Sequence, residues 1–230
     1  MRATLTMEEL ERRMEPVLLM AREVSHFLGT PLAVILSCTE RLQKRQEKIP
    51  ELAQPLRDIF EMSQRCVQLM RSLGTLGKIS PVKKQALDVE VLFESVFKTI
   101  FSKEGPITTC SKEVFEKNPL IQANREELED LLKILLSNSR DAMPHGGEIK
   151  FQVRNDERGP SIALHIQDSG GGIETETLSR ICDPYFSSKE RVSGQGMSLT
   201  RAFVVVRRHG GRMDIFSDIK GVETIITLPN

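Results

Sequence analysis

Ile162-Ala-Leu-His-Ile-Gln-Asp168-Ser-Gly-Gly-Gly-Ile173 is the stretch that decides the fold. Ile162, Leu164 and Ile166 alternate with Ala163, His165 and Gln167, the period of a strand with one buried face. The strand ends on the carboxylate of Asp168, and three glycines follow. That order sets a hydrogen-bond acceptor beside backbone that a flat ligand can approach closely. Upstream, Ile149, Phe151 and Val153 repeat the alternation, and the 155–160 segment between them is a turn, so the two strands should pair antiparallel.

Helical patterns surround these strands. Residues 126–143 carry Leu128, Leu131, Leu132, Leu135 and Leu136 on one stripe. Residues 87–101 read as a helix with Val91, Leu92, Ser95, Val96 and Thr99 near one face. Residues 200–208 form another helix, and Met213, Ile215 and then residues 224–228 supply later strands. Helices layered on a mixed sheet predict an α/β sandwich.

The first third has a different period and no strand-like alternation. Leu10, Met14, Val17, Ala21, Val24 and Leu28 are spaced four and three in turn, a heptad seam that resumes at Leu32, Ile35, Thr39 and Leu42. Pro31 lies inside the extra step of four, so a kink is expected there. A polar stretch, 43–50, separates this from a second seam at Leu52, Leu56, Ile59, Ser63, Cys66 and Met70. Two long helices with a short connection make an antiparallel hairpin with little interior of its own. Pairing two copies into a four-helix bundle would bury the seam, so a homodimer is expected. Gly74, Gly77 and Pro81 end the region. The fold class is therefore α+β, with a helical hairpin at 1–76, a linker at 77–86 and the sandwich at 87–230.

The totals narrow the partners. The 230 residues carry 32 Lys+Arg against 32 Asp+Glu, so no whole-chain field draws in nucleic acid or an anionic membrane. No apolar run approaches the length of a bilayer span and no secretion signal stands at Met1, which predicts a cytoplasmic chain without membrane insertion. Cys38, Cys66, Cys110 and Cys182 lie far apart, a spacing that fits neither a zinc site nor a disulfide scaffold.

Two further segments carry chemistry. Gly194-Gln-Gly-Met-Ser-Leu199 precedes an apolar helix, and glycines before a helix N-terminus expose N–H groups to phosphate. Asn138, on the leucine-striped helix, offers a hard neutral oxygen suited to a magnesium ion already bound by phosphates.

Leu-Leu-Ser-Asn138-Ser-Arg-Asp141-Ala-Met143, then Asp168-x-Gly170-x-Gly172-Ile173, then Asp183-Pro-Tyr-Phe186-Ser-Ser-Lys189, then Gly194-Gln195-Gly196-Met197-Ser-Leu199 resemble the N, G1, F and G2 boxes of the Bergerat ATP-binding fold of sensor histidine kinases. Ser25-His26-Phe-Leu-Gly-Thr30-Pro31-Leu32 resembles their H-box, and Pro-Tyr-Phe-Ser-Ser-Lys is similar to the F-box of nitrogen-regulation-type kinases. The resemblance implies ATP and Mg2+ as cofactors, with Asp168 accepting from the adenine amino group and Asn138 ligating magnesium. Asp141, Ile173, Phe186, Met197 and Leu199 would belong to the nucleotide site. Gly170, Gly172, Gly194 and Gly196 would shape the pocket and lid hinge. Residues 187–195, with Gln195, would form the lid and offer Lys189 and Arg191 to the phosphates. His26 would be the phosphoacceptor, and Thr30 would orient water during dephosphorylation of a partner. That partner would be a response-regulator receiver domain, and the F-box suggests the sigma-54 activator class. Independently of the family, the seam places His26 off the apolar face, with Thr30 four residues on beside it.

Three positions depart from the pattern. Phe27 stands where these kinases carry an acidic residue, so Glu23, three residues before His26, becomes the candidate base. Ile134 replaces the first Asn of the N-box, where gyrase-like and chaperone-like ATPases hold a water-activating Glu. Ser198 replaces a glycine of the G2 box. The expected activity is autophosphorylation of His26 from Mg-ATP and transfer to an aspartate. The alternative is a phosphotransfer or phosphatase scaffold with little kinase activity. His145, His165 and His209 are expected to be structural or solvated.

Overall fold

The computed structural model describes residues 2–44, 50–76, 83–101, 107–115, 119–156, 159–184, 186 and 196–230. The chain divides into two compact units, residues 13–79 and residues 1–12 with 80–230.

The larger unit is built on a six-stranded sheet. Its strands are β1 (Ala3–Leu5), β3 (Thr108–Val114), β5 (Gly147–Asn155), β6 (Ser161–Asp168), β7 (Arg212–Asp218) and β8 (Gly221–Pro229), in the spatial order β1-β7-β8-β6-β5-β3. Among the described residues, β3 and β5 run parallel and the other pairs antiparallel. The expected antiparallel pairing of β5 and β6 is present, with Phe151 opposite Ile166 and Val153 opposite Leu164. A separate ribbon pairs β2 (Gln85–Asp88) with β4 (Leu120–Ala123).

Alternation decides what the sheet buries. Ile149, Phe151, Val153, Ile162, Leu164, Ile166, Met213, Ile215, Ile226 and Leu228 are all buried. Helices α3 (Val89–Phe101), α4 (Arg125–Ala142) and α6 (Ser198–Arg208) supply apolar stripes, and a short α5 (Thr175–Arg180) precedes α6. The Phe93 ring of α3 lies on the Phe151 ring of β5 at 3.8 Å between centroids, fixing α3 against the sheet. Asn124 caps α4, its side chain accepting from the Glu127 N–H at 3.1 Å.

The structure corrects two expectations about α3. The helix begins at Val89, because Leu87 and Asp88 complete β2 and the Asp88 carboxylate accepts from the N–H groups of Glu90 and Val91. Its buried face is Val89, Leu92, Phe93 and Val96, whereas Val91 is 62% exposed. The aromatic ring of Phe93, which needs the sheet as its platform, shifts the face from that expected.

The opening of the chain is a further correction, since it holds a strand. Ala3–Leu5 adds an antiparallel edge to β7, and Arg2 both pairs with Glu223 and lies over the Phe216 ring. Thr6 and Glu9 then cap the next helix reciprocally, with Thr6 N donating to Glu9 Oε2 at 3.0 Å and Glu9 N to Thr6 Oγ1 at 3.4 Å. Met7 N donates to Asp214 Oδ1 at 2.9 Å. The first twelve residues therefore group with the sandwich, while the expected boundary assigned them to the hairpin.

The smaller unit contains most of α1 (Met7–Gln43) and α2 (Ala53–Leu76). α1 runs unbroken through Pro16 and Pro31. The helices are antiparallel: Gln43 Nε2 donates to Leu56 O near the connection, and Gly74 faces Ser25 far from it. Met14, Leu18, Ala21, Leu56, Thr39 and Ser63 are buried, but Val24, Leu28, Ile35, Leu42, Leu52 and Ile59 on the two seams remain exposed. By length and composition alone, α1 is apolar enough to cross a membrane.

Candidate functional site

Asp168 closes β6 and is only 6% exposed. A buried carboxylate needs donors, and three are supplied. Gly170 N and Val222 N donate to Oδ1 at 3.0 and 3.2 Å, and Ser139 Oγ donates to Oδ2 at 3.0 Å. Burial holds the Asp168 carboxyl above its ordinary value, and the Gly170, Ser139 and Val222 hydrogen bonds each oppose that shift. With two N–H donors and one hydroxyl, the carboxylate keeps acceptor capacity that suits a neutral donor such as an exocyclic amine.

The loop after Asp168 is folded against the β7–β8 turn. Gly172 has φ +74°, and a Cβ there would lie 2.0 Å from Asp218 O. Gly221, on the other side of the contact, has φ +133°, and its Cβ would lie 1.9 Å from Asp168 O. Neither position has room for a side chain. Ile173 is half-buried, its N–H donating to Ser217 Oγ at 2.7 Å.

Asn138 is half-buried on α4, one residue before the Ser139 that touches Asp168. Asp141 is exposed on the same helix and pairs with Arg140 at 3.2 Å. Gly196 (φ +65°) and buried Met197 lead into α6, whose N-terminus has no side-chain cap. Those N–H groups can receive phosphate. Leu199 is half-buried, and Thr200 Oγ1 donates to Cys182 O at 2.8 Å, tying α6 to the end of α5. Phe186 lies under the Arg180 guanidinium at 4.6 Å. Lys189, Arg191, Gly194 and Gln195, and with them the lid expected at 187–195, fall outside the described residues.

These residues fit a nucleotide. Asp168 offers a buried carboxylate acceptor, and Asn138 offers a hard neutral oxygen of the kind magnesium takes. Among the described residues no group of three or more His, Cys, Asp or Glu side chains could hold a metal, so magnesium here would depend on the nucleotide's phosphates.

His26, Thr30 and Glu23 lie in the other unit, all exposed on α1. Phe27, beside His26, is 79% exposed. The other histidines have local roles. His209 is 1% exposed, with Nδ1 donating to Val205 O at 2.8 Å and Nε2 accepting from Asn124 N at 3.0 Å. His165 contacts Glu223 at 3.0 Å, and His145 is exposed in a turn. The four cysteines are free thiols.

Sequence reasoning missed Ser139, Gly221 and Val222. Ser139 could have been found, because it is the next step of the leucine stripe after Leu135 and Leu136, and a hydroxyl on a buried face needs a partner.

Comparison with known proteins agrees with this geometry. The profile of the histidine kinase-, DNA gyrase B- and HSP90-like ATPases matches residues 123–230. The chain is 26% identical to the sensor histidine kinase ZraS of Escherichia coli strain K12, over 98% of this chain and 48% of that protein. It is 24% identical to the sensory histidine kinase/phosphatase NtrB of Azospirillum brasilense, over 91% of this chain and 55% of that protein. It spans from about a quarter to about half the length of such relatives. Among solved structures, the catalytic domain of histidine kinase ThkA superposes with a TM-score of 0.56 at 23% identity, covering 64% of this chain and 96% of that one. Full-length ShkA in complex with AMPPNP superposes with a TM-score of 0.59 at 16% identity, covering 91% of this chain and 45% of that one. Residues 123–230 therefore match the histidine kinase-, DNA gyrase B- and HSP90-like ATPases, in a chain similar to sensor histidine kinases along nearly its whole length.

Proposed function

We propose that the chain is the catalytic core of a cytoplasmic two-component sensor histidine kinase, organised as a helical hairpin at 13–76 and an ATP-binding domain at 87–230 that the first twelve residues join. His26 is the phosphoacceptor. An imidazole nitrogen forms a bond to the γ-phosphorus as the bond to the bridging oxygen breaks, ADP leaves, and the imidazole proton passes to a base. Phe27 cannot take that proton, and Glu23, also exposed on α1, is the proposed acceptor. Asn138 would hold a magnesium ion together with the nucleotide's phosphates, and the ion would supply charge neutralisation there. Lys189 and Arg191, which lie outside the described residues, are the proposed cations for the same phosphates. The phosphoryl group then moves to an aspartate of a response regulator, of the sigma-54 activator class, and Thr30 orients water when the regulator is dephosphorylated.

The observation that carries this reading is an exposed His26 on a long helix of the same chain that presents a buried, donor-satisfied Asp168 at the end of β6. Exposed seam residues Val24, Leu28, Ile35 and Ile59 support a homodimer, in which two hairpins cover one another. The test is incubation with γ-labelled ATP and magnesium. Acid-labile, base-stable label that disappears in His26→Ala supports the reading, and label that persists in the variant overturns it.

Phe27 beside His26 and Ile134 in the N-box favour a second reading, a phosphotransfer or phosphatase scaffold. One relative is named as a kinase/phosphatase, which supports weighing this reading. A protein that binds ATP without labelling itself, yet removes phosphate from a phosphorylated receiver domain, would establish it.

A further inference from the structure

The Asp168 carboxylate is clamped on both oxygens. Two backbone N–H groups fix Oδ1, and these survive any side-chain change. Oδ2 is fixed by one side chain alone, the hydroxyl of Ser139, which is itself 6% exposed on the sheet-facing stripe of α4. A hydroxyl buried on a leucine stripe costs packing energy unless it is hydrogen-bonded, and Asp168 supplies that bond.

We propose that Ser139 is a positioning residue for base recognition: its hydroxyl donates to Asp168 Oδ2, keeps the carboxylate plane fixed, and leaves on that oxygen an acceptor directed at the amino group of a 6-aminopurine. The inference rests on the nucleotide-binding reading above and adds a specificity determinant to it. The chemistry distinguishes two bases. A 6-aminopurine brings an N–H donor to Oδ2. A 6-oxopurine brings an acceptor, which meets the carboxylate with repulsion whether or not Ser139 orients it.

Burial raises the Asp168 carboxyl, and the Ser139 hydrogen bond is one of three that pull it back. The groups facing it are Ser139 from α4, Gly170 N–H from its own loop and Val222 N–H from β8. Amine recognition is therefore present above the carboxyl's folded-state pKa and is lost as pH falls through it. Without the hydroxyl that loss begins at a higher pH.

The experiment is calorimetric titration of the full chain with ADP and separately with IDP, its 6-oxo counterpart, across pH. Wild type is compared with Ser139→Ala, Ser139→Thr and Ser139→Val. ADP binding by the wild type tests nucleotide binding itself; its absence overturns that reading and the inference with it. With binding established, Ser139→Ala should weaken ADP about five- to tenfold, the loss expected for one hydrogen bond to a charged group. IDP affinity should stay unchanged, and the acid limb of the ADP profile should move upward. Thr should restore the wild-type profile and Val, its isostere without a hydroxyl, should not; this pair carries the comparison should the Ala variant be unstable. Unchanged ADP affinity, or equal weakening of ADP and IDP, overturns the proposal.

Discussion

Adjacent glycines after β6 face opposite fates on substitution. Gly172 has φ +74°, and a Cβ there would stand 2.0 Å from Asp218 O, well inside any allowed contact. Gly171 has nothing within 4 Å of its Cβ position, and its φ lies outside the left-handed region. In Gly172→Ala, holding a non-glycine residue in left-handed backbone costs roughly 1–2 kcal/mol. Displacing the β7–β8 turn by the ångström or so needed to relieve the overlap adds about 1–3 kcal/mol. A total near 3 kcal/mol should lower the melting temperature of the larger unit by roughly 6–12 °C. The same displacement moves the loop whose Gly170 N–H holds Asp168, so ADP affinity should fall by more than tenfold. Gly171→Ala should change stability by less than about 0.5 kcal/mol, as an exposed site without contacts does. Thermal denaturation and ADP titration of both variants decide the matter. Equal behaviour of the two would refute the argument that the turn and the glycine loop are packed together as described.

Three other outcomes follow from the same structure. Leu5, 3% exposed at the end of β1, should on replacement by Ala cost about 2–4 kcal/mol, read as a lower midpoint in urea for the C-terminal unit; an unchanged midpoint would mean that β1 contributes nothing to that unit. Ile35→Glu places a charge on the exposed seam and should shift sedimentation from dimer to monomer without changing ADP binding. Thr30→Ala should leave labelling of His26 intact and slow dephosphorylation of a phosphorylated receiver domain, measured as the decay of its acyl phosphate.

The sheet was legible in the sequence wherever alternation was strong and helical wherever the stripe was long. β5, β6 and α4 emerged from Ile149 to Ile166 and from the leucines of α4 because each buries one continuous face. β1, β3 and β4 did not. Thr108–Val114 is a polar edge strand whose residues are mostly half-exposed or exposed, so it carries no apolar alternation to read. Ala3–Leu5 is three residues long, and its place depends on β7, which lies more than 200 residues along the chain. At the site, Asp168 and its glycines were visible because their order is local. Ser139, Gly221 and Val222 were not, because their roles arise only when α4 and β8 converge on the end of β6. Phe27 next to His26 was plain in the sequence, and the structure adds that its ring is exposed.

The most direct measurement is to map phosphohistidine by mass spectrometry, under alkaline handling, after incubating the protein with ATP and magnesium. Wild type, His26→Ala and Asp168→Ala are compared. The account predicts phosphate on the peptide carrying His26 in the wild type and none in either variant. Phosphate on another histidine, or undiminished phosphate on His26 in Asp168→Ala, would contradict it.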